Sequence, residues 1–198
     1  MDEAAKMLTG KPYNALEKTL VAARMRAKEL LFDLNILRPS EIQQRNAIFK
    51  KLLGSTNKAF YIESPFRCDY GYNIEIGSHF FANYNCTILD CAKVSIGNHV
   101  LFGPNVSLFT ACHPVHAELR NTGYQHALPI TIGDNVWIGG NTVINAGVTI
   151  GVNTVIGSGS VVTKDIPANV VAFGNPCRVS REITEQDKDA YHSELTFE

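Results

Sequence analysis

The amino-acid sequence predicts an all-β-dominated chain, a parallel β-helix preceded by a helical segment and interrupted by a protruding loop. Three observations lead there. Aliphatic residues recur at every sixth position, at Ile132, Ile138, Ile144, Ile150, Ile156 and Val162. Each is followed by a small or short polar residue: Gly133, Gly139, Asn145, Gly151, Gly157 and Thr163. Fourteen of the fifteen valines lie at or after Val94, whereas the first sixty residues are rich in Ala, Leu, Lys, Glu and Arg, so strand propensity follows helix propensity along the chain.

A period of six fits neither regular structure. An α-helix puts residues six apart about 120° out of line, and a flat strand repeats every second residue. One short strand and one bend per hexad satisfies the spacing: the aliphatic anchor points inward on every side, and a missing Cβ at its successor relieves crowding where the chain turns. Val136, Thr142, Val148, Thr154 and Ser160, four after the first five anchors, are small enough for the inside of a narrow bend. Ile96, Phe102 and Leu108 form an earlier run backed by Gly97 and Gly103, and Ile76, Ala82 and Ile88 a less regular one. Ordinary hairpins are disfavoured, because Asn-Gly and Asp-Gly turn pairs are absent from this stretch.

Residues 1–58 form the expected N-terminal helical segment. One helix is expected from about Leu16 to Leu34, with Leu16, Leu20, Ala23, Ala27, Leu30 and Leu31 on one stripe. A second is expected from about Pro39 to Leu53, with Ser40 as cap and Gly54 after its end. The β-helix is expected over 59–181, broken at 110–128 by a loop rich in charges and punctuated by Pro114 and Gly123; within it, Cys112 lies four after Leu108 and is expected to face inward. The tail, 182–198, is expected to hold a short helix near Glu182–His192.

Composition narrows the function. The 198 residues are 45% apolar and 19% charged, the balance of a folded soluble chain. No apolar run approaches the ~18 residues that span a bilayer, and the start, MDEAAKMLTG, lacks a signal-peptide profile, so a cytoplasmic address without membrane contact is expected. The five cysteines, Cys68, Cys86, Cys91, Cys112 and Cys177, are odd in number and contain no CxxC, so they are expected to be reduced. A formal net charge of −1 gives no broad positive field for nucleic acid.

The hexads IGDNVW, IGGNTV, INAGVT, IGVNTV and IGSGSV resemble the hexapeptide-repeat acyltransferases. With FRCDYGYNIEIG (66–77), FFANYN (80–85), the His113-Pro114-Val115-His116 loop and VTKDIPANVVAFGNPCRV (162–179), nearly the whole chain is similar to the maltose and galactoside O-acetyltransferases. The resemblance implies a left-handed β-helix, acetyl-CoA as co-substrate, no metal, and a sugar hydroxyl as acceptor, of the maltose or glucose type. Rival readings are a relative that acetylates a serine, a drug or an oligosaccharide, and a non-catalytic solenoid scaffold.

Transfer from a thioester to a hydroxyl needs a base, a place for the oxyanion and a track for coenzyme A. The resemblance makes His113 the base, with His116 structural. It places Asn83, Asp69 and Arg24 on the sugar. For the cofactor it implies backbone groups around Gly140 and Ser158, the Thr163-Lys164 pair, Arg178 and Arg181, with Trp137 lining the tunnel; Gly140 stands where galactoside enzymes have a serine, so a backbone N–H is a candidate oxyanion donor. Ala15 and Cys91 replace aspartates that contact sugar in the galactoside enzymes, and Glu17 is a candidate to take over one of these polar roles. A covalent route through Cys112 and a zinc site of His99, His113 and His116 are weaker alternatives. A slim three-sided solenoid with apolar flat faces is expected to trimerise, with active sites between subunits.

Overall fold

The computed structural model describes residues 1–57 and 59–188. From Ser55 onward the chain winds as a three-sided parallel β-helix of short strands. Face I stacks Ser55–Thr56, Ile74–Ile76, Val94–Ile96, Ile130–Ile132 and Thr149–Ile150. Face II stacks Phe60–Ile62, Phe80–Ala82, Leu101–Phe102, Trp137–Ile138, Val155–Ile156 and Val170–Phe173. Face III stacks Arg67–Cys68, Thr87–Leu89, Ser107–Phe109, Val143–Ile144 and Val161–Val162. Pairing therefore begins at Ser55, ahead of the boundary expected at 59.

The anchors are in register from coil to coil: Ile76 on Ile96, Ile96 on Ile132, and Ile132 on Ile150 along face I. Every expected anchor is at most 5% exposed, including the less regular Ile76, Ala82 and Ile88. Val136, Thr142, Val148, Thr154 and Ser160 are also buried. Thr142 and Ser160 donate their hydroxyls to the carbonyls of Gly139 and Gly157, respectively, which lets a polar side chain occupy the interior.

Two residues share the work of each bend. The glycine after the anchor keeps the coils close: a Cβ at Gly151 would lie 2.4 Å from Ala168 N, and one at Gly139 2.5 Å from Ser158 N. The left-handed turn itself falls on the third residue after the anchor, which is Asn135, Asn141 and Asn153 at φ of 54 to 59°, or Gly147 and Gly159. Asparagine tolerates that region because its short side chain bonds locally. Here Asn105 bonds Asn141 at 3.0 Å and Asn153 bonds Asn169 at 2.9 Å, tying neighbouring coils.

The N-terminal segment closes the first coil. Helix α1 spans Glu3–Leu8, α2 Lys18–Asn35 and α3 Ile42–Leu52. Helix α1 and the strand Tyr13–Asn14 were not expected. Helix α2 starts after Leu16, which is exposed, and its buried stripe is Leu20, Ala27, Leu31 and Leu34. Helix α3 is entered through Glu41 without a side-chain cap bond, so Ser40 does not cap it. Phe49 of α3 meets Phe60 and Phe66 edge-on at 6.0 and 5.7 Å, plugging the open end of the prism with apolar surface.

The break in the hexads is an excursion. The chain leaves the prism at Thr110, runs out through Ala111–Cys112, turns over a short helix α4 at Ala117–Arg120 and returns through Tyr124–Ala127. Leu128 N then donates to Thr110 O, closing the excursion at its base. The returning strand pairs with both Ala111–Cys112 and Tyr13–Asn14, so the N-terminal segment clamps it. Cys112 is therefore not inward; Thr110, two residues earlier, is the fully buried one. At the far end Arg178–Glu182 runs antiparallel on Val170–Phe173. Of the tail helix expected at 182–192, Glu182 is strand, a helical turn starts at residue 186, and residues 189–192 lie outside the described residues.

Overpacking a bend should therefore cost more than trimming a side chain on the same turn. Gly151→Ala is expected to lose about 1–3 kcal/mol, and Val152→Ala, at a 47% exposed residue, about 0.5 kcal/mol or less; thermal melts of the two variants check the difference.

Candidate active site

The three edges of the prism carry different chemistry. The edge between faces I and II holds His79 and His99, whose rings stack at 4.6 Å, continued by Asn135, Asn153 and Asn169. His99 therefore stands on a different edge from the excursion that carries His113 and His116, and the three histidines do not converge.

The edge between faces III and I gathers Arg24, Asp69 and the excursion. Arg24 reaches from α2 and donates from Nη1 to Tyr70 Oη at 2.6 Å and from Nη2 to Ala15 O at 2.6 Å. The carbonyl of Ala15 thus holds the guanidinium. Glu17 is used as the cap of α2, accepting from Thr19 N at 2.8 Å. Asp69 follows the face III strand of the first coil, and its Oδ2 accepts the Cys91 thiol at 3.4 Å. Ala111, at the base of the excursion, packs against the buried cluster that contains Tyr13, Tyr70, Cys91 and Ala92. His113 stands exposed just beyond it, where the strand Ala111–Cys112 ends. Further along the same edge lie Thr163 and Lys164, both exposed after the strand Val161–Val162.

Burial controls ionisation here. Desolvation pushes the Cys91 thiol up to about 12, and the neighbouring Asp69 and Asp90 carboxylates push the same way. The Cys112 thiol is also raised by burial, which withholds the thiolate that a covalent route needs. Asp90, fully buried, is pushed up to about 7 by desolvation, against the pull of the backbone N–H bonds it accepts.

The edge between faces II and III holds the other candidates. Asn83 follows the face II strand Phe80–Ala82, and its Oδ1 accepts from Tyr84 N at 2.8 Å. Pro104, Gly140 and Ser158 follow on the same edge one, two and three coils beyond Tyr84, with Gly159 N donating to Gly140 O at 2.9 Å. A Cβ at Gly140 would lie 3.1 Å from the carbonyl oxygen and Cδ of Pro104, so the site is tight for any side chain. Trp137 lies outside face II, 54% exposed, between Leu101 and Val155. Arg178 pairs with Phe173 at the end of this face. Arg181 is engaged by Asp187 through two bonds of 2.9 and 2.7 Å, which hold Asp187 down to about 2.

The expected residues thus fall into two groups. Arg24, Asp69, His113, Thr163 and Lys164 share one border of face III; Asn83, Gly140 and Ser158 share the opposite border, with Trp137 and Arg178 on the adjoining face. A single chain does not bring the groups together.

Known proteins carry the same organisation. Residues 6–57 match the model of the maltose acetyltransferase hexapeptide capping motif, and residues 129–164 the bacterial transferase hexapeptide model of six repeats. The fold and these repeats define a hexapeptide-repeat acetyltransferase. The galactoside O-acetyltransferase of Escherichia coli K12 is 46% identical over 198 residues, covering 100% of this chain and 98% of its own length. A maltose O-acetyltransferase structure from Clostridium difficile 630 is 51% identical with a TM-score of 0.92, over 93% of this chain and 99% of that one. A galactoside acetyltransferase solved with coenzyme A is 46% identical with a TM-score of 0.95, over 100% and 99% of the two chains. The chain belongs to the maltose and galactoside O-acetyltransferase family.

The raised Asp90 gives a signed test of pH dependence. Its folded-state value lies above the unfolded value of 3.8, so the folded chain holds the proton more tightly, and this group's contribution to stability falls as pH rises from about 4 to about 7. Relative to the wild type, Asp90→Asn should gain stability over that interval and stay level above it. Denaturant titrations at pH 5, 6, 7 and 8 check the trend.

Proposed function

We propose that the protein transfers the acetyl group of acetyl-CoA to a sugar hydroxyl, with His113 as general base, in clefts completed by neighbouring subunits of a homotrimer. The observation that carries this reading is the division of the site residues between the two borders of face III. Within one chain Asn83 and His113 stand at opposite borders of face III, with the strand Thr87–Leu89 between them. A threefold arrangement sets one border of each prism against the opposite border of the next. Asn83, Gly140 and Ser158 of one subunit then complete the half-site of Arg24, Asp69, His113, Thr163 and Lys164 of another.

Surface chemistry supports the same arrangement. The outer side of face II is apolar, with Tyr61 stacked on Phe81 at 6.1 Å and with Leu101, Trp137 and Phe173 exposed. The outer side of face I is polar, with Glu75, Ser95, Thr131 and Thr149 and an ion pair of 2.9 Å between Lys93 and Glu75. Water suits face I, whereas burial against another subunit suits face II.

In the reaction, His113 removes the acceptor proton as the hydroxyl oxygen attacks the acetyl carbonyl carbon, and the coenzyme thiolate leaves as the tetrahedral intermediate collapses. No acyl-enzyme is needed, which agrees with the suppressed thiolate of Cys112. Arg24 and Asp69 offer a donor and an acceptor to vicinal hydroxyls, a pairing suited to sugars. Lys164, Arg178 and Arg181 supply positive charge for the phosphates of coenzyme A, and the tight backbone at Gly140 and Ser158 suits an extended pantetheine arm. The address is cytoplasmic; among the described residues no helix is long and apolar enough to cross a membrane, and all five cysteines are free.

His113→Ala should lower kcat by about 10²–10⁴, the usual worth of a positioned base, while leaving the fold intact because the residue is exposed outside the prism. Near-normal turnover in the folded variant would remove His113 from the mechanism. Asn83→Ala should be impaired as well, and mixed trimers reassembled from the two variants should recover activity, since some clefts then receive both native residues; steady-state rates before and after mixing check this.

A further inference from the structure

Asp90 takes no part in the reaction described above, yet its carboxylate is fully buried on the edge that carries the acceptor candidates Arg24 and Asp69. Oδ1 accepts from Asp69 N at 3.0 Å and Tyr70 N at 2.8 Å, and Oδ2 accepts from Asn73 N at 3.3 Å. Asn73 Nδ2 in turn donates to Asp90 O at 2.7 Å. The bend from Asp69 to Asn73 is thereby tied to one side chain of the next coil. We infer that Asp90 is a positioning residue for the acceptor: it fixes the bend that presents Asp69 and Tyr70, and through Tyr70 it sets the guanidinium of Arg24.

The path is short. Tyr70 Oη accepts from Arg24 at 2.6 Å, and the guanidinium carbon lies 5.6 Å from the Tyr70 ring centre. Asp69 projects its carboxylate to Cys91 from the same bend. A carboxylate suits the task, since it accepts at both oxygens and donates nothing. The charge is costly in such a place, because desolvation opposes it, Asp69 adds a like charge, and among the described residues no ion pair offsets it.

Single braces from one coil to the backbone of the previous one recur in the solenoid, with Asp134 Oδ1 accepting from Asn98 N and Asp165 Oδ1 from Thr149 N, each at 2.7 Å. Tyr70, Asp90 and Thr110 occupy the same level of successive coils, two after the aligned Cys68, Ile88 and Leu108. Thr110 repeats the brace one coil on, its hydroxyl accepting from Ala92 N at 2.9 Å and donating to Leu89 O at 2.7 Å. In the two coils after the excursion the same level is filled by Ala146 and Lys164, whose side chains accept no hydrogen bond. Asp90 differs from the single braces in gathering three backbone N–H groups of one bend, the bend that holds Asp69 and Tyr70.

The inference rests on the sugar acetyltransferase reading, and the test separates the two. Wild type, Asp90→Asn and Tyr70→Phe are compared in steady-state kinetics with both substrates varied, and by amide hydrogen exchange. For Asp90→Asn the acceptor KM should rise about tenfold or more, with the acetyl-CoA KM within about twofold and kcat at saturating acceptor nearly kept. Exchange at Asp69, Tyr70 and Asn73 should quicken, while the strands at 143–162 keep their protection. An unchanged acceptor KM in folded Asp90→Asn, or an equal rise for both substrates, overturns the inference. If Asp90→Asn fails to fold, Tyr70→Phe decides: it cuts the link to Arg24 and leaves the bend, so a raised acceptor KM supports the inference and a wild-type value overturns it. A wild type that acetylates no sugar overturns the reading of the reaction, and retained protection of the bend in Asp90→Asn then overturns the brace independently.

Discussion

Close stacking of one coil on the next is the constraint on which the molecule depends. Parallel strands hydrogen-bond at a spacing of about 4.8 Å, and at that spacing the backbones of successive bends nearly touch. A Cβ at Gly77, Gly97, Gly103, Gly139 or Gly151 would fall within 2.3 to 2.5 Å of an atom in the neighbouring coil. The glycines therefore answer a packing demand, and the reversal of direction is assigned to the asparagines and glycines two residues later. With both demands met, aliphatic side chains fill a narrow prism that water cannot enter, and helices α2 and α3 close its end.

The same stacking orders the chemistry. Residues on one edge are held in file at the coil spacing, so the edges behave as rigid racks. Asp69, Asp90 and Thr110 follow one another on one rack, and the His113 excursion springs from its third coil. Asn83, the Pro104–Gly140 contact and Ser158 follow one another on another. The width of a face keeps the two racks apart within a chain, and the trimer proposed above is the means by which they would be joined. The N-terminal strand Tyr13–Asn14 and helix α2 add the remaining pieces, clamping the returning strand of the excursion and delivering Arg24.

Much of this was legible in the residues. The hexad anchors gave the prism, its register and the site of the break, because burial on three sides imposes a period no helix or flat sheet shares. His113, Asn83 and the cofactor candidates were named through motif resemblance, and the structure adds where each stands. Other features left weaker traces. Asparagine three places after the anchor is a visible signal for the left-handed residue, but the glycine beside the anchor accounts for a bend without it. Cys112 escapes the hexad count because the chain leaves the coil at Thr110. Helix α1 is too short to show a periodic stripe, and the strand Tyr13–Asn14 exists only because Tyr124–Ala127 offers it an edge. Asp90 gave no sign at all: its role depends on N–H groups some twenty residues away, brought near by coil stacking.

Assembly is the central claim, since the chemistry proposed for His113 and Asn83 needs two chains at one cleft. Sedimentation equilibrium on catalytically active protein measures it directly. The account predicts an active species with three times the 21.8 kDa chain mass and no activity in monomer fractions. A monomer that turns over acetyl-CoA and a sugar acceptor at the full rate would contradict it.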